Sequence, residues 1–366
     1  MKRLIAFLLV TVMLFGFSGC SKDPDTTTTA GGSQAESSSS TSEEKVVKLA
    51  LSIPVAAAPY WTAVGYGVQK AMDEINAEAG STIVEYQFFD PGNFELESQL
   101  KNIEDALALK FDGMVIAPVD ANGTVNAIKK AFEEGVPMVT VDLSANTDVL
   151  LAGYCTYNYN AGCTNAEKMA ELINEKNGAY KGKVVMNMGK ANISSHIARC
   201  QGFKDTMAEK YPDIEIIFEQ FADNSEENVK IIENALAMFG NEIDAVFATG
   251  DTAADMACQA IDSSGLFKEI GDPDHIIVVG FDAEINGINN IRAGRQDATV
   301  AQNPILMGQM AAIALYEYIV NGSTPSTDAD GLVEVPHFAI DYKNIETPEA
   351  QEFFWAIEVE SVDIDL

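Results

Sequence analysis

The residue types that could carry out bond-making chemistry are scattered. His196, His275 and His337 share no metal-ligand spacing and no HExxH run. Cys20, Cys155, Cys163, Cys200 and Cys258 form no CxxC pair and join no Cys/His cluster, so no metal site is expected. Gly65-Tyr66-Gly67 lacks the third glycine of a dinucleotide fingerprint and reads as helix packing, and no P-loop occurs, so no cofactor is expected. Asp328-Ala329-Asp330-Gly331 has some features of a calcium loop, but Ser326 and His337 stand where carboxylates are needed; it reads as a solvated turn. No nucleophile and base stand at a recognisable spacing. A second set of residues is more orderly. Tyr60, Trp61, Asp142, Asn158, Lys190, His196, Asp251, Asp282 and Gln302 each follow a short apolar run. Carboxylates, amides and aromatics in such places suit recognition of a ligand rather than its conversion.

The elements that must position these residues are readable from residue 46 onward. Apolar runs rich in β-branched residues occur at 46–53, 83–89, 113–117 and 137–141, and helix-period stretches lie between them at 60–79, 94–109 and 122–134. Asn122 and Gly135 suit the start and stop of the last helix. The alternation restarts with runs at 149–155, 183–187, 214–221, 245–249 and 276–281. Continuous apolar strands separated by helices predict an α/β chain of two doubly wound parallel-sheet lobes. Ligands of such sheets bind beyond the carboxyl ends of the strands, where the polar and aromatic residues fall.

Composition narrows the function further. The 366 residues suit two domains rather than one core, and 47% hydrophobic with 21% charged residues is globular composition. Acidic residues outnumber basic ones 55 to 23, a formal charge of -32 that repels phosphate backbones, so nucleic acid is not an expected partner. Only the first segment is apolar enough to enter a membrane, which argues against a multi-span transporter. Met1-Lys2-Arg3 and the apolar run at 4–17 read as a signal peptide over residues 1–19. Phe17-Ser18-Gly19-Cys20 resembles the bacterial lipobox, which implies a lipidated Cys20 and tethering to the extracytoplasmic face of the cell membrane. Residues 20–45 then form a flexible tether: 12 of the 25 positions from 21 to 45 are Ser or Thr, and too little apolar surface is present to offset ordering. Cys155 with Cys163 is the pair to check for a disulfide, although a core of this size needs none, and free thiols are expected.

Several segments together resemble the ribose/galactose-type periplasmic binding proteins (type I), the solute receptors of ABC importers. They are Ala58-Pro59-Tyr60-Trp61, Thr140-Val141-Asp142, Ala198-Arg199-Cys200-Gln201-Gly202-Phe203, Val246-Phe247-Ala248-Thr249-Gly250-Asp251, Val279-Gly280-Phe281-Asp282 and Ala298-Thr299-Val300-Ala301-Gln302. The resemblance implies two lobes joined by three crossings, near Thr156, Gln302 and His337. The first lobe then comprises residues 46–156 and 303–337, and the second 157–302 and 338–366, with the ligand enclosed between them.

The resemblance also implies roles. Tyr60 and Trp61 stand where aromatics flank a sugar ring; Asp142 and Asp282 match carboxylates that accept from sugar hydroxyls. Gln302 and Asn158 would contribute amides at crossings, Ser52 a minor polar contact, and Asp251 either a ligand contact or a helix cap. Three departures stand out. Leu143 replaces an arginine after the hinge aspartate, a second family arginine falls at Ile197, and Gly250 replaces an asparagine. Arg199 is expected to be structural. The pocket would thus hold Asp142, Asp251 and Asp282 without guanidinium partners, an expensive arrangement unless Lys190, His196 or a cationic ligand compensates. The implied function is a monomeric, non-enzymatic lipoprotein capturing a monosaccharide or polyol-like solute for an ABC permease and its ATPase. A sensory receptor presenting a furanose signal or amine-bearing sugar to a membrane sensor, and a surface-glycan hydrolase with paired carboxylates, are the alternatives.

Overall fold

The structure, a computed structural model, describes residues 45–364 apart from 56, 93, 223 and 363. The expected signal peptide, Cys20 and the tether through residue 44 lie outside the described residues.

The first half alternates β1 (Val47–Ser52), α1 (Pro59–Ala79), β2 (Val84–Phe88), α2 (Leu96–Ala108), β3 (Gly113–Ile116), α3 (Val125–Glu133), β4 (Met138–Val141) and β5 (Ala152–Cys155). The pattern repeats through α4 (Asn158–Asn177), β6 (Gly182–Asn187), α5 (Ser194–Lys210), β7 (Ile214–Gln220), α6 (Ser225–Phe239), β8 (Ala245–Ala248), α7 (Asp251–Ser263), β9 (Ile277–Asp282), α8 (Ile285–Arg292) and β10 (Ala298–Ala301). It closes with α9 (Pro304–Asn321), β11 (Leu332–Glu334), β12 (Phe338–Asp341), α10 (Pro348–Gln351) and α11 (Trp355–Glu360). One sheet runs β2-β1-β3-β4-β5-β11 and the other β7-β6-β8-β9-β10-β12. All neighbours are parallel except β10 and β12, which are antiparallel. Strands β3, β4, β8 and β10 are buried at every residue, as sheets with helices on both faces require. The strand order reverses at β1 in one sheet and at β6 in the other, so each lobe has a switch-point crevice at its carboxyl edge.

The chain passes between the sheets after β5, after β10 and between β11 and β12. A fourth passage departs from the expected assignment of residues 338–366 to the second lobe. Phe354 stays in that lobe's core with Ala283 and Ile340, but Trp355 and Ala356 bury an apolar face against Ala63 of α1 and Ile305 of α9. Helix α11 therefore docks on the first lobe, where Glu358 also pairs with Lys70 at 3.2 Å.

Two helix pairs approach so closely that only glycine fits. A Cβ on Gly67 would lie 2.0 Å from the Ile305 carbonyl oxygen, and one on Gly308 would lie 2.1 Å from that of Val64, which locks α1 against α9. In the second lobe a Cβ on Gly162 would lie 2.2 Å from the Arg199 carbonyl oxygen and one on Gly202 would lie 2.0 Å from that of Tyr159, which locks α4 against α5. Gly67 thus has the packing role read from its sequence context.

Two local expectations fare differently in the fold. Helix α3 starts at Val125 rather than at Asn122, because Asp120 Oδ1 accepts from the amides of Asn122 (2.9 Å) and Gly123 (2.6 Å) and holds them in a turn. Cys155, Cys163, Cys200 and Cys258 are free thiols; burial pushes the pKa of Cys155 and Cys200 up to about 12, which leaves both unreactive.

Candidate functional site

The carboxyl edges of the two sheets bring one line of polar side chains together across the lobes. Asp142 directly follows β4, and Asp282 ends β9. Both adopt positive φ, 59° and 100°, and Ala283 follows at 58°. Such conformations cost about 1–3 kcal/mol each and persist where surrounding structure holds them, often at ligand sites. Tyr60, in the first turn of α1, donates its hydroxyl to Asp142 Oδ1 at 2.9 Å and stands 3.5 Å from Gln302 Oε1. Gln302, just past β10, donates Nε2 to Asp282 Oδ1 at 2.7 Å. Arg199 Nη1 lies 3.3 Å from the same Asp282 oxygen. The line therefore runs Asp142, Tyr60, Gln302, Asp282, Arg199, from the first lobe through a crossing into the second.

Arg199 corrects the expectation that the pocket has no guanidinium. It is 5% exposed; Nε donates to Asn158 Oδ1 and Nη1 to the Thr249 carbonyl, both at 2.8 Å. Its guanidinium carbon lies 3.6 Å from the centre of the Phe281 ring. Ile197, at the position expected for the family arginine, is 45% exposed. The signal that could have pointed to Arg199 is its place on the apolar face of α5 beside Cys200 and Phe203, where an arginine must find partners. Asn158 orients this guanidinium, and its own Nδ2 donates to the Thr156 carbonyl at 3.1 Å.

On the second-lobe side lies a cavity of about 490 Å³ whose wall includes Lys190, His196, Asn228, Thr252, Asp282 and Glu284. Lys190 is exposed at its rim. His196 Nδ1 accepts from the Lys190 amide at 2.9 Å, and burial together with the nearby Arg199 lowers its pKa to about 4, so the ring is neutral with its proton on Nε2. Glu284 went unnoticed in the sequence because nothing distinguishes it from an ordinary acid at a helix start. It accepts from Thr252 Oγ1 at 2.7 Å, and burial with the neighbouring Asp282 raises its pKa. Burial likewise raises Asp142, against the opposing effects of Tyr60 and Arg199, and holds the Tyr60 hydroxyl protonated well above its usual range.

Three expected contacts are placed elsewhere. Asp251 is 0% exposed and accepts from Gln296 Nε2 (2.8 Å), Thr299 Oγ1 (3.1 Å) and the Glu284 amide (3.0 Å); it anchors the start of α8 from inside the lobe. Ser52 is 0% exposed, with its oxygen 3.5 Å from Gln99 Nε2. Trp61 is 8% exposed and belongs to the first-lobe core, where its ring meets the Tyr60 ring edge-on at 5.3 Å. Trp355, 2% exposed, also meets the Tyr60 ring edge-on, at 5.9 Å, and donates Nε1 to the Asp282 carbonyl at 2.8 Å.

Comparison with known proteins places this geometry in context. Residues 49–323 match the family model described as a periplasmic binding protein domain. The ribose import binding protein of Bacillus subtilis strain 168 is 28% identical over 316 residues, 86% of this chain and 92% of that protein. The D-xylose-binding periplasmic protein of Escherichia coli K12 is 28% identical over 258 residues, 68% of this chain and 74% of that one. Among solved structures, a periplasmic ribose ABC transporter protein from Conexibacter woesei superposes with a TM-score of 0.73 at 21% identity, covering 85% of this chain and 98% of the other.

Proposed function

The chain belongs to the periplasmic binding protein family, a family of solute binders rather than enzymes, and on that premise we propose that it captures a monosaccharide or polyol-like solute for an ABC importer. Residues 1–20 support delivery across the membrane and a lipid anchor at Cys20 on the extracytoplasmic face. The observation that carries the reading is the polar line from Asp142 through Tyr60, Gln302 and Asp282 to Arg199. Hydroxyl-rich solutes offer donors and acceptors together, and this line answers with carboxylate acceptors, an amide with both functions and a guanidinium donor. The names of the ribose and xylose binders among its relatives agree with that chemistry.

The mechanism follows from the two lobes. Each contributes part of the line, so a solute between them gains contacts only when both faces close on it. Binding then shifts the population toward the closed form, which presents a surface to the permease that the open form lacks. Calorimetry of residues 45–366 against aldopentoses, aldohexoses and alditols tests the reading. At least one solute should bind, and Asp282→Asn should weaken it by about tenfold or more, the loss of one charge-assisted contact. No binding by any of these solutes removes the proposal.

A further inference from the structure

The charges in the cleft are unevenly matched. Asp282 and Glu284 stand on the cavity wall in the second lobe, and Asp142 ends the hydrogen-bonded line that reaches Asp282 from the first. Arg199 is the buried cation, and it is matched to Asp282 at 3.3 Å. Among the described residues, no Lys, Arg or His nitrogen lies within 4 Å of a carboxylate oxygen of Asp142 or Glu284. The other basic groups at the cavity do not fill the gap. His196 is neutral, and Lys190 is exposed at the rim, where water and salt screen it. Tyr60 gives Asp142 one neutral hydroxyl and Thr252 gives Glu284 another.

Closing the lobes removes water from these carboxylates, and a buried ion without a partner is costly. A ligand that brings the missing positive charge converts that cost into attraction. Resting on the sugar or polyol reading above, we propose that the solute carries a protonated amine, received by Glu284 on the cavity wall. The remaining groups, the guanidinium of Arg199, the amide of Gln302 and the hydroxyls and amides of the wall, then bind its hydroxyls. The ligand class is an amino sugar or an amino alditol, and Glu284 is the residue that distinguishes it from its neutral parent.

The test is calorimetry near neutral pH with matched pairs: D-glucosamine and D-glucose, D-galactosamine and D-galactose, and 1-amino-1-deoxy-D-sorbitol and D-sorbitol. The amine should bind about tenfold or more tighter than its parent in at least one pair, and N-acetyl-D-glucosamine, which lacks the charge, should lose that advantage. Glu284→Gln, nearly isosteric, should cut the amine-to-parent ratio by about tenfold. If the neutral parent binds as tightly as its amine in every pair that binds, or if Glu284→Gln leaves the ratio unchanged, the inference fails and the sugar or polyol reading stands. If no member of any pair binds, the inference fails, and the wider panel of aldopentoses, aldohexoses and alditols decides the sugar or polyol reading by itself. The panel on the unmodified protein decides the point even where the variant does not fold.

Discussion

A guanidinium that is 5% exposed has to satisfy its donors inside the protein, and Arg199 does so on Asn158, Thr249 and Asp282. Lysine could not reproduce that planar fork, so the residue orients Asp282 as well as balancing it. His196, one turn earlier on α5, has the opposite electrostatic character. Its folded pKa of about 4 lies below the ordinary value near 6.5. Below that ordinary value the unfolded chain takes up a proton that the folded chain refuses until about pH 4, so His196 makes the protein lose stability as pH falls across that window. Asp142 and Glu284, both raised, push the other way, and His275, raised by Asp297, contributes stability that is present in acid and lost as pH rises through its folded value. The contribution of His196 is therefore read by difference. Thermal melts at neutral pH and through the acid range should show His196→Gln losing less stability on acidification than the parent protein. Equal slopes would mean that the folded ring takes up its proton as readily as the unfolded one.

At the level of helices and strands, the two glycine crossings determine where cleft side chains can stand. Helix α4 begins with Asn158 and α5 carries Arg199, and the Gly162 and Gly202 contacts hold these helices at backbone distance. The α1 and α9 crossing does the same for Tyr60 and the segment following Gln302. Gly202→Ala would place a Cβ 2.0 Å from the Tyr159 carbonyl, so the helices must separate. The expected outcome is a loss of about 2–3 kcal/mol in urea unfolding, accompanied by weaker solute binding as Arg199 moves away from Asn158. Normal stability together with normal affinity would show that α4 and α5 do not meet so closely.

Across the whole molecule, helix α11 ties the lobes together. It packs on α1 of the first lobe, yet its Trp355 indole donates to the backbone of Asp282 in the second. Opening the cleft must stretch or break that bond, so closure is favoured by a contact that no ligand makes. Trp355→Phe keeps the apolar packing and removes the donor. Solute affinity should fall by about three- to tenfold, the weight of one hydrogen bond, and small-angle scattering of the ligand-free variant should report a larger mean radius of gyration. An unchanged radius and affinity would show that the indole bond does not couple the lobes. The sequence contains two tryptophans, so fluorescence of the Trp61→Phe protein reports Trp355 alone and follows closure directly.

The alternation of apolar runs and helix-period stretches was enough to identify two doubly wound lobes and to place the ligand edge after the strands, because strand and helix periods are local properties of the chain. Asp142, Asp282 and Gln302 were legible for the same reason: each stands at the carboxyl end of a strand. Which way a residue at a strand end then turns is not local. Asp251 and Asp282 both sit at such ends, yet one is held inside by Gln296 and Thr299 while the other, at φ 100°, meets Gln302 and Arg199. Trp61 packs in the first-lobe core, and Trp355, from the last described helix, bonds the Asp282 carbonyl. Contacts between side chains tens to hundreds of positions apart made those choices, and such contacts exist only once the lobes have packed.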